Sequence, residues 1–127
     1  MNTVTTHEGD EFCIGRFRIC VRYRRVATDE GITLQVYGPT DSGNEEVLRF
    51  DCFQHQPHYH LGWSYRKEPF IPIAADNSLG WAIQQLRSNA NELLAAASAL
   101  PMDGEELAAF GDSLEDIWDA AKRAQPQ

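Results

Sequence analysis

The sequence predicts an α+β domain in which a four-stranded antiparallel β-meander is packed on one face by a C-terminal two-helix hairpin. Two patterns carry this prediction. Through residues 12–65, apolar residues alternate with polar ones at every second position, as in strands that bury one face. From residue 76 onward, apolar residues recur every three or four positions, as in helices that bury one side. Residues 66–75 contain Pro69 and Pro72 and are expected to form an extended edge piece or a connector between the two parts.

Four alternating segments are expected to form the sheet: residues 12–26, 32–37, 46–53 and 58–65. Short polar loops separate them, which favours antiparallel pairing of consecutive strands. The first strand should then lie far from the fourth. The positions expected to face inward are Cys13, Phe17, Ile19, Val21, Tyr23, Ile32, Leu34, Val36, Leu48, Phe50, Cys52, Tyr59, Leu61, Trp63 and Tyr65.

The helical hairpin is predicted over residues 76–123. Asp76, Asn77 or Ser78 can cap the first helix, and Pro101 is expected to end it. Asp103 and Glu106 have the spacing of a capping box for the second helix. The apolar stripes are predicted to be Leu79, Ile83, Leu86, Ala90, Leu93, Ala97 and Leu100 in the first helix, and Leu107, Phe110, Leu114, Ile117 and Ala121 in the second.

Length and composition are those of one globular domain covering residues 1–127. Hydrophobic residues make up 43% of the chain and charged residues 24%. No apolar run approaches the length of a membrane span, and the first residues lack the features of a signal peptide. We therefore expect a cytoplasmic protein with no membrane partner. Its three cysteines, without a CxxC pair, are expected to be buried small hydrophobes.

The charge is bipolar. The net charge is −8, which disfavours RNA as a partner without excluding it. Residues 1–75 contain eight basic and ten acidic residues, whereas residues 76–127 contain three and nine. Acidic residues line the outer side of the second predicted helix: Glu105, Asp112, Glu115, Asp116 and Asp119.

The polar face of the predicted sheet holds the candidate functional residues. Asp51, His58 and His60 are the candidate catalytic residues, because an imidazole beside a carboxylate can transfer protons near neutral pH. Arginine side chains pair with phosphate oxygens through two parallel hydrogen bonds, so the face could hold a phosphate-bearing substrate. The candidate binding residues are Arg16, Arg18, Arg22, Arg24, Arg49 and Tyr37.

Three functional interpretations remain open for this face. The absence of a strong catalytic motif favours the first interpretation, a small interaction module that binds a protein partner or forms a homodimer through its arginines. A second is a ribonuclease or another enzyme acting on a phosphate-bearing substrate through His58, His60 and Asp51. A third is a divalent-metal site with Asp51, His58 and His60 as ligands. No other cofactor is expected, and a merely solvated face would serve none of these functions.

Two resemblances bear on these interpretations. Leu48-Arg49-Phe50-Asp51, followed by Pro57-His58-Tyr59-His60-Leu61-Gly62, resembles a family of uncharacterised small bacterial proteins in which an LRFDCF-like strand precedes a PHYH segment. That resemblance implies the same fold and a bacterial origin. The same stretch is distantly similar to the TumE-type toxins of toxin–antitoxin systems. The positions that match are Arg49, Asp51, Pro57, His58 and His60.

Overall fold

The computed structural model describes residues 4–7, 10–62 and 70–126 and confirms the α+β class. Within these ranges the chain forms an antiparallel sheet followed by two C-terminal helices. The strands are β1 (Val4–His7), β2 (Glu11–Ile14), β3 (Phe17–Val26), β4 (Asp29–Thr40), β5 (Gly43–Phe53), β6 (His58–Leu61) and β7 (Ile71–Pro72), and the helices are α1 (Ser78–Ala96) and α2 (Gly104–Ala124). No helix within the described ranges is long and apolar enough to cross a membrane.

The sheet is a meander with extra strands at both edges. Strands β3 to β7 pair consecutively and antiparallel, as the sequence predicted. The predicted count of four strands was wrong, because the described ranges contain seven. Both β1 and β2 pair with β3, along different parts of its outer edge. At the other edge, the proline-containing connector contributes the short β7.

The first predicted strand is in fact a hairpin. Gly15 has φ +56°, a left-handed conformation that favours glycine, and with Arg16 it forms the turn between β2 and β3. A Cβ atom at Gly15 would also collide with the carboxylate of Glu106. Arg16 therefore leaves the polar face of the sheet, and the prediction that it lies there was wrong. Cys13 was predicted to face inward, but it is exposed and pairs with Arg18. The turn separates β2 from β3, so the alternation of β3 does not continue into β2.

The hydrophobic core lies between one face of the sheet and the two helices. Helix α1 contacts β5 and β6, and helix α2 contacts β2 and β3. The inward positions of β3, β4 and β5 are buried as predicted, while Tyr59 and Leu61 of β6 are partly buried against the core. Trp63, Ser64 and Tyr65 lie outside the described residues. Fully buried members of the core include Phe17, Ile19, Leu34, Leu48, Phe50, Leu86, Phe110, Leu114 and Ile117.

The helix caps follow the predicted pattern, but the link between the helices does not. Asn77 caps α1, and Asp103 with Glu106 forms the capping box of α2. Helix α1 ends at Ala96 rather than near Pro101, since Ser98 adopts φ +61°.

Two positions of the predicted apolar stripes, Leu100 and Leu107, are consequently exposed. Met102 is instead buried, and the side-chain amide of Asn91 accepts from its N–H and donates to its carbonyl.

Candidate functional site

Two rows of side chains cross the polar face of the sheet. The strand register aligns Arg22, Thr33, Asp51 and His58 in one row, from β3 to β6. It aligns Cys20, Gln35, Arg49 and His60 in the next. Cross-strand neighbours lie about 4.5–5.5 Å apart, so these rows bring together side chains that are distant in sequence.

Asp51 lies at the centre of this arrangement and is only 1% exposed. Its Oδ1 accepts a hydrogen bond of 2.8 Å from the Thr33 hydroxyl. Its Oδ2 lies 3.2 Å from His58 Nε2 and 3.5 Å from His60 Nε2. Burial alone would raise the pKa of this carboxyl, but the contacts from the two histidines and the charge of Arg49 hold it far below its usual value. Asp51 is therefore a buried anion.

Arg24 and Arg49 approach the same carboxylate from two different strands. Arg49 Nε donates to Asp51 Oδ2 at 3.1 Å, and Arg24 Nη1 donates to Oδ1 at 3.3 Å. Arg24 lies on β3; the predicted order of the strands is confirmed, and the long arginine side chain crosses β4 to reach the carboxylate on β5. Arg24 pairs with Gly31 of β4. Because Gly31 has no side chain, nothing at that position obstructs the path of the arginine side chain toward β5. Asp51, Arg24, Arg49, His58 and His60 form what we call the Asp51 cluster.

His58 is held by an acceptor on each side of its ring. Nδ1 donates to the carbonyl of Gln56 at 2.7 Å, and Nε2 faces the Asp51 carboxylate. A neutral imidazole has only one N–H, whereas the imidazolium form can donate to both acceptors. Burial lowers the pKa of His58, but the contacts with Asp51 and the Gln56 carbonyl outweigh it and raise the pKa above its ordinary value. The two acceptors therefore favour the imidazolium form of His58.

An NMR titration of the His58 ring is expected to show a pKa above about 6.5, the ordinary value for histidine. A raised folded-state pKa stabilises the fold fully below the unfolded-state value and loses that contribution as pH rises through the folded-state value. Wild-type protein should therefore lose more stability between about pH 6 and 9 than a His58→Gln variant, as measured by urea unfolding. A His58 ring that titrates at or below 6.5 would contradict this assignment.

His60 differs from its neighbour in having no hydrogen-bond partner for either ring nitrogen among the described residues. Its Nε2 lies near Asp51 but without hydrogen-bond geometry. The rings of His58 and His60 meet edge to face, with their centroids 5.0 Å apart. A shielded ring nitrogen without a partner is unfavourable, so His60 is a strained point of the cluster.

The remaining candidate residues lie outside the Asp51 cluster. Arg16 pairs with Glu106 on α2 at 2.7 Å. Arg18 is exposed and stacks over the Tyr37 ring at 4.4 Å. Arg22 donates to the Gln35 side chain and lies 3.8 Å from Glu11. The predicted polar face therefore consists of the Asp51 cluster and an outlying group of Arg18, Arg22 and Tyr37.

Sequence reasoning missed Glu46, which joins the edge of the site. Simple alternation places Glu46 on the apolar face with Leu48 and Phe50. A register shift next to Val36 pairs Tyr37 with Glu46 and turns that carboxylate to the polar face. There it accepts from Gln35 at 3.0 Å and lies 3.7 Å from Arg49. A β-bulge leaves no clear signal in this stretch of sequence.

Sequence reasoning also missed Phe70. Its only sequence signal is its place between two prolines, and its ring is exposed in the structure. Its ring centroid lies 4.9 Å from that of His58. On another side, the His58 ring meets Phe53 edge-on at 5.7 Å. Two aromatic residues and two hydrogen bonds therefore fix the orientation of His58.

The geometry of Asp51, His58 and His60 permits a metal ion, but the surrounding charges oppose one. Their ligand atoms all lie within 4.8 Å of one another. The 3.2 and 3.5 Å separations resemble the spacing of about 3.3 Å between ligands of a tetrahedral zinc ion. However, Arg49 donates to the same Asp51 oxygen, so a metal would have to displace a guanidinium group and remain beside it. Metal binding stays a prediction, which anomalous scattering from zinc-soaked crystals would test.

Comparison with known proteins assigns the chain to a family. A family model described as a domain of unknown function, DUF7700, matches residues 11–115. The chain belongs to this family. The match covers the sheet from β2 onward, the Asp51 cluster, α1 and half of α2. This agrees with the predicted membership of an uncharacterised family. No curated protein and no solved structure matches the chain.

Proposed function

We propose that the polar face binds a phosphate-bearing ligand at the Asp51 cluster. The observation that carries this proposal is a group of three basic side chains around one buried carboxylate. Arg24, Arg49 and His58 surround Asp51, and Glu46 adds a second carboxylate near Arg49. With His58 protonated, three positive charges face two negative charges at a partly shielded position, where attraction to an anion is stronger than in open solvent.

Arg24 has the donors that such a ligand needs. Of its guanidinium nitrogens, only Nη1 has an acceptor within the described part of the chain. Nε and Nη2 can therefore donate to two oxygens of a phosphate in the paired geometry that arginine favours. Outside the cluster, Arg18 has no carboxylate partner among the described residues and extends the positive surface.

Binding of inorganic pyrophosphate measured by calorimetry at low salt tests this proposal. Arg24→Gln should weaken binding about tenfold, because a hydrogen bond to a charged group contributes about 1.5–3 kcal/mol. Arg25→Gln is the matched control: Arg25 follows Arg24 in β3 and forms its own ion pair with Glu30 at 2.6 Å. The proposal is wrong if wild-type protein does not bind pyrophosphate, or if the two variants weaken binding equally.

Cleavage of a bound phosphoester is a second candidate function, which the different hydrogen bonding of the two histidines favours. The His58 imidazolium can donate a proton to a leaving oxygen. His60 would be the base, although both of its ring nitrogens are buried, so a bound hydroxyl would have to displace the side chains that cover them. This is the activity that the distant similarity to TumE-type toxins also suggests. If a His58→Ala/His60→Ala variant matched wild-type protein in phosphodiester hydrolysis, this function would be excluded.

Self-association through the same face has less physical support. In a two-fold symmetric pair the same patch meets itself, which would bring the arginines of two copies together. Light scattering at high concentration and low salt distinguishes a dimer from a monomer.

A further inference from the structure

We infer that the phosphate-bearing ligand is a nucleotide unit whose base stacks on Phe70. This inference rests on the proposed function and adds the class of ligand. Phe70 is 52% exposed, the largest exposure of any large hydrophobic residue within the described ranges. Exposure of an aromatic ring to water is unfavourable, and an exposed ring beside bound phosphate is how proteins commonly hold bases.

The position of Phe70 relative to the arginines fits one nucleotide. His58 contacts the Phe70 ring and, through Asp51, lies beside the guanidinium group of Arg49. One imidazole ring therefore separates the aromatic platform from the phosphate-binding groups. In a nucleotide, the pentose ring lies between the phosphate and the base. A base on Phe70 would therefore direct its phosphate past His58 toward the guanidinium groups around Asp51.

The ring beside the platform is held in place. His58 is fixed by its hydrogen bond to Gln56, its ion pair with Asp51 and its edge contact with Phe53. A preorganised surface loses little conformational freedom when a base stacks on it, so more of the stacking energy contributes to affinity.

The distribution of charge separates this face from the acidic part of the protein. Helix α2 packs on the opposite, apolar face of the sheet, and its acidic side chains are exposed on the outer side of that layer. The net charge of −8 therefore does not describe the surface that the ligand meets. Arg22 and Arg24 alternate along β3 at a spacing of about 6–7 Å. Together with Arg18 over Tyr37, they offer contacts to further phosphates of a single strand.

The test compares adenosine 5′-monophosphate with ribose 5-phosphate, which lacks the base, by calorimetry. Wild-type protein should bind the nucleotide about tenfold more tightly, because stacking of one base contributes about 1–3 kcal/mol. Phe70→Ala should abolish that difference and leave the affinity for ribose 5-phosphate unchanged. Phe70→Trp should restore it. Leu107→Ala is the control, since it truncates another exposed hydrophobic residue, on α2, that lies far from the cluster.

The outcomes separate this inference from the proposed function. Equal affinities of wild-type protein for the two ligands would overturn the inference that the ligand is a nucleotide and leave the proposal of phosphate binding intact. Equal weakening of both ligands by Phe70→Ala would assign Phe70 a structural role and overturn the stacking contact. Failure of both ligands and of pyrophosphate to bind would overturn the proposed function as well. A further arm with octa-adenylate identifies the source: tighter, salt-dependent binding indicates single-stranded nucleic acid, and affinity equal to the mononucleotide indicates a free nucleotide.

Discussion

Replacing Asp51 with asparagine is expected to lower the free energy of unfolding by about 3–5 kcal/mol. The change removes the charge that Arg24, Arg49 and His58 share and leaves the two guanidinium groups in a shielded position without a counter-charge. The new amide group would also direct N–H donors toward neighbours that are themselves donors. Urea unfolding at pH 7 measures the loss. Asp41→Asn, in the exposed turn between β4 and β5, is the matched control and should change stability by less than about 0.5 kcal/mol.

A double-mutant cycle makes this result specific to the cluster. Adding Arg24→Gln to Asp51→Asn removes one of the unpaired cations and should recover part of the lost stability. Additive losses, or a loss for Asp51→Asn no greater than that for Asp41→Asn, would show that the cluster is not electrostatically coupled. The His58 pKa gives an independent measure, because it should fall in any Asp51→Asn protein that folds.

Glu106→Ala is expected to lower the free energy of unfolding by about 2–4 kcal/mol. Glu106 is 5% exposed, and its carboxylate accepts from the backbone N–H groups of Arg16 and Asp103 at 2.8 and 2.9 Å. It also accepts from the Arg16 guanidinium at 3.1 and 2.7 Å. The same side chain therefore closes the capping box of α2 and ties that helix to the turn between β2 and β3. Glu105→Ala, in the same helical turn but exposed, should cost only a few tenths of a kcal/mol.

The pH dependence of stability distinguishes this contact from a general packing effect. The hydrogen bonds and charge of Arg16 lower the pKa of Glu106 to about 2. A lowered folded-state pKa contributes stability above the unfolded-state value near 4.5 and loses it as pH falls toward 2. Between about pH 5 and 2, wild-type protein should therefore lose more stability than Glu106→Ala. Parallel pH profiles of the two proteins would contradict the ion pair.

The sequence predicted the parts of the fold that depend on local pattern. Alternation identified the inward faces of β3, β4 and β5, because one buried face imposes a period of two on any strand. The spacing of Asp103 and Glu106 identified the capping box, because both of its hydrogen bonds form within one helical turn. The edge strand β1 was missed, since a four-residue strand carries too few positions for a periodic signal. The two-residue β7 lies in the segment that was expected to be an extended edge piece or a connector.

The same limit explains the errors in the candidate site. Alternation correctly placed Asp51, His58 and His60 on one face, and short loops made β5 and β6 neighbours. It also placed Arg16 on that face, because a two-residue turn at Gly15 preserves the appearance of a continuous strand. Glu46 was missed as a member of this face, because the extra residue of the bulge lies between it and Leu48 and reverses its orientation relative to the rest of β5.

The sequence alone thus establishes that Arg49, Asp51, His58 and His60 share the polar face, because that depends on the period of the strands. The tertiary structure decides which of them meet: the guanidinium group of Arg24 reaches Asp51 from two strands away, Arg16 binds Glu106 on the opposite layer, and Phe70 lies against His58. These contacts depend on strand register, turn positions and side-chain length, which act over distances that no local pattern encodes. On the polar face that the sequence predicts, the fold therefore forms the compact Asp51 cluster with the aromatic platform of Phe70 beside it.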